Sequence, residues 1–95
     1  MGNEFVRDVD TIIAAMRDEL SDEEYDKMLG LRDDLVEMNA RNVVKINHSA
    51  LELVAAMYLV QDGFDVEIEY NLNGISTDVY AKKGYGSLIV EVETG

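Results

Sequence analysis

The chain has no cysteine, no proline and no tryptophan, and only eight lysines and arginines stand against twenty aspartates and glutamates. Without cysteine there are no disulfides, no zinc–thiolate centres and no cysteine nucleophile, which fits a reducing compartment. No apolar run is long enough to span a bilayer. The start, Met1 to Phe5, lacks a basic stretch followed by an apolar core, so no signal peptide is expected and the chain is read as cytoplasmic. Internal repeats and low-complexity linkers are absent as well. Ninety-five residues then leave room for one small domain, marginal unless well packed or oligomeric.

The shortage of cations leaves a net charge of -12. Such a chain repels phosphate backbones over a Debye length, and proteins that hold nucleic acid by charge are usually basic. The excess is uneven. Residues 1–42 carry twelve carboxylates against five basic side chains, and residues 43–95 carry eight against three.

What is present is globular in kind, with 47% hydrophobic and 29% charged residues. Over residues 4–20, Phe5, Val9, Ile12, Ile13 and Met16 recur at helical spacing. Ser21-Asp22-Glu23-Glu24 is a capping box, so a second helix is expected from there. Its apolar face would hold Tyr25, Met28, Leu31, Leu35 and Met38, with a break possible at Gly30. Residues 39–47 read as a connection or a short extended piece.

A third helix is expected from a cap at Asn47, His48 or Ser49 to about Asp62, stopped by Gly63. It is apolar nearly all round, interrupted only by Glu52, so it should be buried on more than one side. After Gly63 the period changes to two. Phe64, Val66, Ile68 and Tyr70 alternate with Asp65, Glu67 and Glu69, as in a half-buried strand. Asn71-Leu72-Asn73-Gly74 reads as a turn and residues 77–82 as a second strand. Lys83-Gly84-Tyr85-Gly86 reads as another turn. Residues 87–93 form a third strand, apolar enough to be central.

Residues two apart on a strand share a face. Glu91 and Glu93 therefore lie together, as do Asp78, Tyr80 and Lys82. If the two strands form a hairpin, Asp78 comes beside Glu91. Clustered carboxylates repel and raise one another's pKa, and a divalent cation removes that penalty. Oxygen donors suit Mg²⁺ or Mn²⁺, which can activate water and stabilise a pentavalent phosphate.

Four features carry a likeness to a known family. Glu52 sits early in an apolar helix that ends in Asp62-Gly63-Phe64. Thr77-Asp78-Val79-Tyr80-Ala81 opens a strand, a Lys-Gly turn follows, and Leu88-Ile89-Val90-Glu91-Val92-Glu93 comes next. This run resembles the PD-(D/E)XK nuclease-like superfamily, in particular its Holliday-junction-resolvase and restriction-endonuclease-like members. The resemblance implies Asp78 and Glu91 as metal ligands and Glu52 as an outer or second ligand. Glu93 would stand where the family carries the lysine that orients the attacking water. That is a departure from the motif, and some restriction enzymes of this fold use Glu there. Lys82, on the Asp78 face, could supply a displaced ammonium. Thr77 stands where a proline is common. The family core continues with a helix and a strand after the Glu93 position.

Other residues have plainer readings. His48 is read as a neighbour of the helix cap rather than a ligand. Lys82-Lys83 is read as a solvated turn and Tyr85 as an exposed turn aromatic. The acidic helices are read as solvated outer faces with an apolar seam that could also meet a second copy. The expectation is an α+β domain in which N-terminal helices precede a buried helix packed on a three-stranded, mainly antiparallel sheet. Its expected activity is Mg²⁺- or Mn²⁺-dependent hydrolysis of duplex or branched DNA, by an active or degenerate member and with a homodimer possible. The rival is a non-catalytic module that binds a protein through the acidic helices.

Overall fold

A computed structural model of the chain describes residues 3–41, 45–72 and 74–93. Its order is α1 (Asn3–Met16), a 3₁₀ turn (Arg17–Glu19), α2 (Asp22–Arg41), α3 (Ile46–Gln61), β1 (Asp65–Leu72), β2 (Ile75–Lys83) and β3 (Gly86–Val90). The fold is α+β, with α3 packed on β1 and β2.

The helical periodicity of the first two segments becomes one core. Phe5, Val9, Ile13 and Met16 of α1 meet Met28, Leu31 and Leu35 of α2 and Leu53, Ala56, Met57 and Val60 of α3. Burying such side chains contributes roughly 1.5–3 kcal/mol each against the entropy of ordering the chain. The seam of the acidic helices is thus covered from within, by α3. Arg32 on α2 ties the two acidic helices together, its Nε 2.6 Å from Asp10 Oδ1 and a second guanidinium nitrogen 3.2 Å from Asp10 Oδ2.

The capping box is reciprocal, as the sequence implies. Ser21 Oγ accepts from the Glu24 amide at 3.2 Å, and Glu24 Oε1 accepts from the Ser21 amide at 2.9 Å. From there α2 runs through Gly30 without a break. Its apolar face packs on both sides of that residue, and tertiary burial outweighs one weak position. A Cβ added at Gly30 would meet nothing within 4 Å.

Of the expected connection at 39–47, residues 39–41 belong to α2, residues 42–44 lie outside the described residues, and 46–47 already belong to α3. Lys45 takes the N-cap place and makes no side-chain cap bond. The helix starts before the polar triplet because Ile46 packs against the core, and Ser49 is fully buried instead of capping. At the other end Gly63 has φ 91, the Gly63 amide bonds Val60 O, and the Phe64 amide bonds Leu59 O. That is a Schellman stop. Lys83 Nζ also donates to Asp62 O at 2.7 Å.

The sheet is an antiparallel meander in the order β1-β2-β3. Its first hairpin is tighter than the sequence reading. Leu72 pairs with Ile75, so Asn71 and Leu72 are strand, while Asn73 lies outside the described residues. Gly74 has φ 85, which glycine readily adopts. The third strand is not central. Among the described residues β2 is the middle strand, and β3 is an exposed edge that stops at Val90. Glu91 and Glu93 therefore follow the strand. The α3 surface carries one uncovered apolar row, with Leu51, Val54 and Tyr58 exposed. Among the described residues no helix is long and apolar enough to cross a membrane.

Because the Gly30 site is open and helical, Gly30→Ala should stabilise the fold by about 0.5–1 kcal/mol. A urea midpoint that rises without a change in slope is the expected result. A fall would mean that the groove beside α2 needs the missing side chain.

Candidate metal centre

His48 and Glu52 are one helical turn apart on α3, so they share a face. Glu69 lies on β1 between the residues paired with Val79 and Thr77, which sets it opposite Asp78 on β2. The helix and the hairpin thereby bring four ligand-type side chains together, and one donor atom of each lies within 4.8 Å of the others. His48 Nε2 is the hub. It stands 3.2 Å from Asp78 Oδ1, 3.6 Å from Glu52 Oε2 and 3.9 Å from Glu69 Oε2. The second Asp78 oxygen accepts from the Val92 amide at 2.7 Å, which fixes the carboxylate from the segment after β3.

Glu52 is the unusual member. It is 0% exposed, and neither of its oxygens accepts a hydrogen bond. Leaving a buried carboxylate unpaired costs several kcal/mol if it is charged. Its pKa is pushed up to about 10, first by burial, then by a hydrogen bond with Glu69 and the charge of that carboxylate, then by the charges of Asp78 and Glu91. Without a cation Glu52 therefore carries a proton at neutral pH. Protonated His48 would be a poor substitute for a cation here. Its Nε2 reaches hydrogen-bonding distance only of Asp78 and leaves Glu52 unsatisfied.

Two further costs converge on the same spot. Glu69 has φ 56, left-handed backbone that a glutamate rarely adopts and that costs on the order of 1 kcal/mol or more. Glu69 and Asp78 are also like charges directly across a strand pair, which is destabilising. A bound dication offsets the repulsion and satisfies Glu52. Ligands on one ion at about 2.0–2.2 Å stand roughly 3–4.4 Å apart, close to the spacings found around Nε2.

The sequence-derived site residues separate into groups. Glu52 and Asp78 come together. Glu91 is exposed and outside the four, yet near enough for its charge to act on Glu52. Glu93 is exposed beyond β3. Lys82 lines a groove with Lys27, Asp34 and Tyr80 beside α2. His48 and Glu69 were missed as ligands. The i, i+4 relation of His48 to Glu52 was the available signal for the first. The pairing of Leu72 with Ile75 sets Glu69 opposite Asp78, a register that a four-residue turn at 71–74 does not give. Comparison of the chain with protein-family models, with curated proteins and with solved structures finds no match.

The folded chain holds a proton on Glu52 that the unfolded chain loses above its ordinary value of 4.5. Between there and about pH 10 the folded state binds more protons, so stability falls as pH rises. In chelator, the melting temperature should drop from about pH 5 to pH 9, and Glu52→Gln should flatten that slope. An equal slope in Glu52→Gln would remove Glu52 as its source.

Proposed function

We propose that this chain is a divalent-metal-dependent phosphodiester hydrolase acting on DNA, of PD-(D/E)XK-like type. The observation that carries the reading is Glu52, fully buried, accepting no hydrogen bond and facing Asp78 and His48. The order of elements supports it too. A helix bears Glu52, the second strand of a meander bears Asp78, and Glu91-Val92-Glu93 follows the third strand. This is the sequence of elements that the family resemblance implies.

A bound dication would act as a Lewis acid on the phosphate and lower the pKa of water. Glu52, Asp78, Glu69 and His48 are the residues that would hold it. The Val92 amide keeps Asp78 aimed at the centre. Glu69, the most exposed of the four, lies on the side where substrate could enter. Glu93 stays the candidate for orienting the attacking water, and Glu91 for a contact outside the four. Lys82 does not suit that role. It lies four residues from Asp78 along β2, roughly 13 Å at strand rise. The net charge of -12 makes metal the natural bridge to a phosphate, since few basic side chains are present to attract one. A chain without cysteine that acts on DNA fits the reducing cytoplasm.

Tag-free protein should cleave linear or branched duplex DNA with Mn²⁺ or Mg²⁺ present and not in chelator. Asp78→Asn and Glu52→Gln should each lose at least about 100-fold while keeping the wild-type circular dichroism. Absence of cleavage by wild type with either metal, on both substrates, would overturn the catalytic reading.

A further inference from the structure

Resting on the metal-centre reading above, we infer that His48 makes the centre selective for a transition-metal dication such as Mn²⁺ or Zn²⁺ over Mg²⁺, with Glu69 completing an N₁O₃ ligand set. The argument begins with position. Nε2 stands 3.2, 3.6 and 3.9 Å from oxygens of Asp78, Glu52 and Glu69. Those are spacings between neighbouring ligands on one ion of about 2.0–2.2 Å bond length. An ion seated among the carboxylates must take Nε2 as a ligand or push the imidazole away.

The two metal classes respond differently to that choice. Mg²⁺ demands oxygen donors in near-ideal octahedral geometry, dehydrates reluctantly and usually keeps several waters. Glu52, 0% exposed, puts the α3 side of the centre out of reach of bulk solvent. Zn²⁺ and other first-row ions accept imidazole readily and bind a mixed nitrogen–oxygen site in the order Mn²⁺ < Fe²⁺ < Co²⁺ < Ni²⁺ < Cu²⁺ > Zn²⁺. The His48 ring sits one helical turn before Glu52 and is held towards the centre by its hydrogen bond with Asp78. Both Glu52 oxygens are buried and accept no hydrogen bond, and Oε2 lies among the other ligand-type atoms. That marks the cluster as a built site rather than a chance gathering of acids.

The test is direct binding to tag-free, metal-stripped protein by isothermal titration with MnCl₂, ZnCl₂ and MgCl₂ in separate runs. Expected is at least tenfold tighter binding of Mn²⁺, and tighter still of Zn²⁺, than of Mg²⁺. His48→Gln should lose at least tenfold in Mn²⁺ affinity and leave that of Mg²⁺ unchanged or improved. Pulsed electron paramagnetic resonance of wild-type protein with Mn²⁺ should show ¹⁴N coupling, a readout that stands even if His48→Gln does not fold. Equal affinities, an unchanged preference in His48→Gln, or no ¹⁴N coupling would overturn the selectivity while sparing the metal centre. Binding of none of the three ions would overturn both.

Discussion

The carboxyl group of Glu52 is sealed inside the protein and accepts no hydrogen bond, and much of the architecture can be read from that constraint. A helix packed on α1, α2, β1 and β2 keeps it from water. Across from it, the hairpin presents Glu69 and Asp78, which repel each other and repel Glu52. An apolar residue at position 52 would relieve this arrangement at once. The strain is what the proposed cation would relieve. His48 lies within 4 Å of an oxygen of each of the three and is the one nitrogen donor in the cluster.

The acidic N-terminal helices have a structural role in this scheme. Their apolar stripes are spent on covering α3, which allows that helix to be apolar nearly all round and to hold a carboxylate in a dry place. Their charged outer sides stay in solvent. The reciprocal cap of Ser21 and Glu24 and the Asp10–Arg32 pair hold them to each other. Exposed pairs of this kind contribute modestly, so packing carries most of the stability. The uncovered surface of α3, marked by Leu51, Val54 and Tyr58, bears no charge of its own in a strongly acidic chain.

Where the sequence reading fell short, long-range packing had displaced a local preference. Gly30 suggested a break, and burial on both sides of it carried the helix through. Asn47, His48 and Ser49 looked like caps, but the helix began at Ile46 and turned Ser49 inward. Leu88, Ile89 and Val90 looked like a central strand, and they form an exposed edge instead. A run of apolar residues shows that a strand wants cover without showing which neighbour supplies it.

Periodicity, the capping box and the glycine stop were enough to determine three helices followed by three strands, because each rests on contacts a few residues apart. Glu52 and Asp78 stood out as candidates from the sequence and from the family resemblance. One breaks an apolar helix and the other opens a strand. Only the tertiary structure decided the ligand set. Glu69 meets Asp78 through the hairpin register, and His48 meets both through the seating of α3 on the sheet. Register and docking depend on residues up to thirty positions apart, and a slip of one residue in either would turn the ligand away from the centre.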